Sequence, residues 1–189
     1  MGSELAVLFV IYLSSESVRF DAQQRPVFSA HQIATTASST RAGLTKWAAT
    51  AEGRAIIGRM RGDDREVTIV EDDREIGVGR APQPDTNTLL AAKDERQVKQ
   101  YRLILNPKLA AQYNHPAAID LGFPRSAADV MAAAWAAEML HIDFYARGIT
   151  LPHHDRADFQ ERWQLVVAAM GMPRVDHMTE HPGGHADEP

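Results

Sequence analysis

The apolar positions of this chain switch between three patterns: unbroken runs, strict alternation and helical spacing. Residues 5–13 (LAVLFVIYL) are an unbroken run rich in Val, Ile, Phe and Tyr, closed by Ser14-Ser15, which predicts a buried strand. Val18 to Phe20 are expected to pair with it before a turn at 21–26. Residues 28–40 are Ser/Thr/Ala-rich and weakly patterned, and read as loop with at most a short helix. From 41 to 60, Leu44, Trp47, Ala48, Ala51, Ala55 and Ile56 recur at helical spacing and predict a helix, weakened at Gly53 and ended by Gly62-Asp63-Asp64. Residues 66–71 (EVTIVE) alternate and are β-branched, hence a strand. Asp72-Asp73 is a turn signal, and 75–80 is expected as the second arm of a hairpin. Residues 81–94, with Pro82, Pro84, Asp85 and Asn87, read as loop; 99–105 as a strand stopped by Asn106-Pro107; 108–113 as one helical turn; and 114–125 as loop.

Ser126 opens the clearest helix. Ser126-x-x-Asp129 resembles a capping box, the Ala-rich segment runs to Arg147, and Gly148 closes it. After a link at 151–154, Asp155 or its neighbour is expected to cap a last helix with an apolar face of Phe159, Trp163, Val166, Val167 and Met170. Gly171 and Pro173 stop it, and from Val175 the chain is polar and is expected to be a flexible tail. The pattern predicts an α+β fold: one domain over 1–174 with a small mixed sheet and one long helix, then the tail 175–189. There are no internal repeats.

Composition narrows the function. The 189 residues suffice for one core, and 44% hydrophobic with 24% charged residues is ordinary for a globular chain. Twenty basic against 25 acidic residues give a net charge of −5, without the basic face that nucleic acid requires. Zero cysteines exclude disulfides, thiolate metal sites and a thiol nucleophile. The run at 5–13 is too short to span a bilayer. Glu4 stands where a signal peptide is basic, so the run reads as a buried strand, with a short targeting segment as the lesser alternative. A soluble protein, cytoplasmic or delivered as an effector, is the expectation.

The chemistry-bearing pattern lies on the 126–147 helix. Ala134, Ala137, Glu138, His141 and Tyr145 are spaced three and four apart and share one face. Zinc peptidases place His-Glu-x-x-His on such a face: the two His bind the metal and the Glu polarises the attacking water. Here the segment reads Ala137-Glu138-Met139-Leu140-His141. It resembles the zincin-type zinc metallopeptidases, and the order of elements across residues 50–155 is similar to that of small bacterial effector-type members.

In those members a segment like Thr50 to Met60 precedes a strand, and a strand ending in Asn-Pro, like Leu103 to Pro107, precedes the metal helix. The resemblance implies a zincin-like fold and a protein or peptide substrate. It implies Glu138 as general base, His141 as zinc ligand, and Tyr145 as a hydrogen-bond donor to an oxyanion. It also implies a further ligand from His153, His154 or Asp155, with Glu161 a weaker candidate and His115 at the cleft edge. The departure is Ala137, which stands where the first ligand should be. A site reduced to His141 and one more ligand should bind zinc weakly or not at all, so peptidase activity is expected to be very low.

Three other readings stand beside this one. Glu138 and His141 also read as a polar i,i+3 pair on the helix of a non-catalytic binding module without a metal site. Function would then lie in the 81–94 loop or on an exposed helix face. The chain also reads as a small α+β domain with a different metal or none. A di-iron bundle site would need a second Glu-x-x-His, which is absent. His153-His154-Asp155 also reads as a solvated helix cap, and His177, His181 and His185 as part of the tail. Asp63-Asp64 and Asp72-Asp73 lack calcium-loop spacing, and Gly77-x-Gly79 opens no helix.

Overall fold

Alternation decides the sheet. A computed structural model describes residues 10–82, 98–112, 126–149 and 156–171. In β5 (Glu66–Glu71), Val67 and Ile69 point into the core while Thr68 is exposed. In β7 (Gln100–Leu105), Tyr101, Leu103 and Leu105 do the same around an exposed Arg102. The two strands pair in parallel over six residues, from Glu66 opposite Gln100 to Glu71 opposite Leu105. On the other side of β5 lies β1 (Ile11–Leu13), also parallel, with Ile11 opposite Val67. The two edges are antiparallel: β2 (Glu16–Ser17) beside β1, and β6 (Gly79–Arg80) beside β7. The order β2-β1-β5-β7-β6 makes a five-stranded mixed sheet. A two-stranded ribbon of β3 (Arg19–Phe20) and β4 (Pro26–Val27) stands apart from it.

The parallel step from β1 to β5 needs a crossover, and α1 (Ala30–Thr35), α2 (Ser38–Ala48) and α3 (Ala51–Gly62) supply it. The stretch expected as loop with a short helix at 28–40 holds that short helix, α1, and also the start of α2. Ser29 forms a reciprocal capping box with Gln32, a Ser-x-x-Gln signal that compensates for poor periodicity. The helix expected over 41–60 is two helices. Ala49 is the C-cap of α2, and the Thr50 hydroxyl accepts from the Gly53 N–H to start α3. Gly53 is there for room: a Cβ on it would lie 2.2 Å from the Trp47 carbonyl oxygen.

The expected hairpin of 66–71 with 75–80 is not formed. The returning segment crosses the C-terminal end of β7 and pairs as β6 on its far side. Asn106 holds this path, its amide donating to the Glu75 carbonyl at 2.8 Å and the Asp73 carbonyl at 3.2 Å. The Asn106 side chain also accepts from the Leu109 N–H at the start of α4 (Pro107–Gln112).

The core organises around α5 (Ala127–Ala146), capped by Ser126, whose hydroxyl accepts from the Asp129 N–H. From Val130 to Ala146 every residue except Ala133 is buried. A helix apolar all round belongs inside, and α5 packs against α2, α3, α4, β6, β7 and α6 (Ala157–Ala169). Gly43 lets α2 come close; a Cβ there would sit 2.9 Å from the Ala132 backbone nitrogen. Trp47 and Trp135 stack across the same contact with centroids 6.0 Å apart, and the Trp135 indole N–H donates to the Thr40 carbonyl. On α6, Phe159, Trp163, Val166 and Val167 are buried, and Arg156 takes the N-cap position without a side-chain cap bond. No helix among the described residues is long and apolar enough to cross a membrane. Residues 5–9, most of the 81–94 loop, 114–125, Asp155 and the tail lie outside the described residues.

Candidate functional site

The edge strand β6 and the middle of α5 make the site. The Asn106 N–H donates to the Val78 carbonyl at 2.8 Å, so residues 78 and 80 turn their polar backbone groups toward β7. By alternation the Ala81 N–H then faces away from β7. Glu138 meets it there: the Ala81 N–H donates to Glu138 Oε2 at 2.6 Å. Gly79 allows the approach, since a Cβ on it would lie 3.0 Å from Glu138 Cγ and 3.2 Å from Ala134 Cβ. Ala134 and Glu138, one helical turn apart, therefore present one face of α5 to β6.

The Glu138 side chain is fully buried, and its second oxygen, Oε1, has no hydrogen-bond partner. Burial pushes its carboxyl up from 4.5 to about 8. Repulsion from Glu75 adds to this; the Ala81 N–H and the Arg80 guanidinium oppose it. Glu75 and Arg80 are themselves paired at 2.9 Å. At neutral pH Glu138 is therefore mainly a neutral acid. Tyr145 is buried at the same helix face. Its hydroxyl is pushed above its ordinary value, first by burial and then by the nearby Glu138.

His141 turns to another neighbour. It is buried, with its ring centroid 5.1 Å from that of Phe159 on α6, and Phe159 packs edge-on against Phe144. Ala137 is buried and carries no donor atom. Glu161 is exposed on α6. His115, His153, His154 and Asp155 lie outside the described residues.

Among the described residues the donor set does not make a zinc site. Ala137 brings no ligand, and no three His, Asp or Glu side chains converge among the described residues. What the arrangement offers is a desolvated carboxyl near neutrality, of the kind used in proton transfer, tied to the backbone of an edge strand.

Residue-pattern reasoning missed Asp143. It is buried on α5 and approached by Arg59 at 3.0 Å, Arg162 at 2.7 Å and Arg147 at 3.5 Å. Its one signal in the sequence is a carboxylate inside a helical run that is apolar apart from Glu138 and His141. Compared with family models, characterised proteins and solved structures, the chain matches none.

Proposed function

We propose that this chain is a zincin-like metallopeptidase-type domain whose metal site is dismantled at Ala137, leaving a scaffold with little or no hydrolytic activity. The observation that carries the reading is the placement of Glu138. It projects from the buried central helix against an antiparallel edge strand, with one oxygen bonded to the Ala81 N–H and the other unpartnered. That is the position from which a carboxylate would serve a peptide lying along the edge. The Glu138–His141 spacing and the burial of Ala137 on the same helix support it.

In an intact version, His141 and an imidazole at position 137 would hold the metal, completed by His153, His154 or Asp155. Glu138 would act as base, and Tyr145 would donate to the developing oxyanion. In the chain as written these roles have no metal to serve.

A second reading is favoured by the separation of Glu138 and His141 onto different neighbours: both are structural residues of a non-catalytic binding module. Zinc affinity of Ala137→His against the parent separates the two readings. A gain in the variant that disappears when His141→Ala is added supports the scaffold reading. No gain in a folded Ala137→His variant overturns it.

A further inference from the structure

At the far end of α5, four arginines from three elements gather on one aromatic ring and one carboxylate. Arg59 comes from α3, Arg147 from the C-cap of α5, and Arg156 and Arg162 from the start and middle of α6. Arg147 lies 4.3 Å, Arg162 5.4 Å and Arg156 6.0 Å from the buried Phe144 ring. Arg59, Arg147 and Arg162 all approach the carboxylate of Asp143. The other carboxylates here are Glu52, shared by Arg59 and Arg162, and Asp158, held by Arg156. Among the described residues four guanidiniums thus face three carboxylates, a local excess of positive charge on a chain whose net charge is −5.

The excess falls on Arg147. Its Nε donates to the Asp143 carbonyl at 3.3 Å and lies 3.5 Å from the carboxylate, while among the described residues none accepts from its two terminal nitrogens. Arg59 is engaged through Nε and Nη2, which leaves Nη1 open, and both side chains are about two-fifths exposed. Burial and repulsion from Arg162 and Arg59 pull the Arg147 guanidinium below its ordinary value, partly offset by Asp143. A planar guanidinium pinned on a ring, with its outer edge open beside a second guanidinium, has the geometry that grips an oxyanion with paired hydrogen bonds.

We propose that Arg147 and Arg59 form an oxyanion-binding site for a phosphate group, at the junction of α3, α5 and α6 and independent of the Glu138 site. The network of Asp143, Glu52 and Arg162 holds the two guanidiniums in place, and the bound anion neutralises the excess charge. Free phosphate and a phosphate monoester share this chemistry.

The test is a titration of the full chain with inorganic phosphate and, separately, with O-phosphoserine. Ionic strength is held fixed with chloride, and both the arginine Nε–H resonances and thermal unfolding are followed. The site predicts a saturable response at the Arg147 and Arg59 resonances and a raised Tm. Affinity should fall about tenfold or more in Arg147→Gln. Arg147→Lys keeps the charge without the two-pronged donor and should recover only part of the binding. Arg74→Gln, in an exposed turn, should leave it unchanged. Saturation by the monoester alone would identify a phosphorylated molecule as the source. A response that is absent, matched by chloride, or unchanged in Arg147→Gln means an adventitious ion only and a purely structural cluster, and overturns the proposal.

Discussion

Replacing Glu138 by Gln should flatten the pH dependence of stability, and the size follows from the burial of this one group. Its carboxyl rises from 4.5 to about 8 in the folded protein. The native state therefore favours the protonated form by about 5 kcal/mol. Because the folded value is raised, the native state holds a proton that the unfolded chain gives up between pH 4.5 and 8. Stability is then greatest below pH 4.5, falls by about 1.4 kcal/mol per pH unit across that window, and levels off above pH 8. Gln cannot ionise and keeps an oxygen for the Ala81 N–H. Its amide leaves buried donors unmet, which costs about 1–3 kcal/mol.

Glu138→Gln should accordingly be equal to or less stable than the parent at pH 5. It should be more stable by about 2–4 kcal/mol at pH 8.5. Urea unfolding of both chains across pH 5–9 measures this, and the difference between them removes the other titrating groups. Parallel pH profiles for the two chains would refute the buried, neutral state of Glu138.

Other expectations follow from single contacts. Gly53→Ala forces a Cβ onto the Trp47 carbonyl, an immovable backbone atom, and should cost about 2 kcal/mol or more in a denaturant melt. Gly79→Val should push β6 off α5, so that hydrogen exchange at Ala81 accelerates well beyond that of β5. Asp143→Ala removes the carboxylate shared by three arginines and should lower stability by about 2–3 kcal/mol, with part of the loss recovered by added salt.

The legible parts of the fold are those with a strong period. Residues 66–71 alternate and are β5 to the residue, and the cap at Ser126 and the stop at Gly148 bracket α5. The break between α2 and α3 escaped because Ala49 and Thr50 continue a helix on propensity alone; Thr50 acts through a cap that only the close approach of Gly53 permits. β6 escaped because two residues, one of them Gly, carry no alternation, and its partner is chosen by the Asn106 bonds to the 73–75 backbone.

The candidate site divides in the same way. Helical spacing exposed Glu138 and His141, but the group that Glu138 binds is a backbone N–H, which has no sequence signature. Spacing also suggested a shared face, whereas packing gives Glu138 to β6 and His141 to Phe159. The arginine cluster was invisible because Arg59 lies 84 residues before Asp143 and meets it only once α3 and α5 pack together.

The central claim is that α5 descends to a metal site lacking its first ligand, and zinc affinity of Ala137→His tests it most directly. Elemental analysis and calorimetry on the parent, Ala137→His and Ala137→His/His141→Ala, each verified as folded, give the answer. The account predicts tight, near-stoichiometric zinc in Ala137→His alone. Equal zinc uptake by all three chains, or none in a folded Ala137→His, would contradict it and leave Glu138 and His141 as structural residues of a binding module.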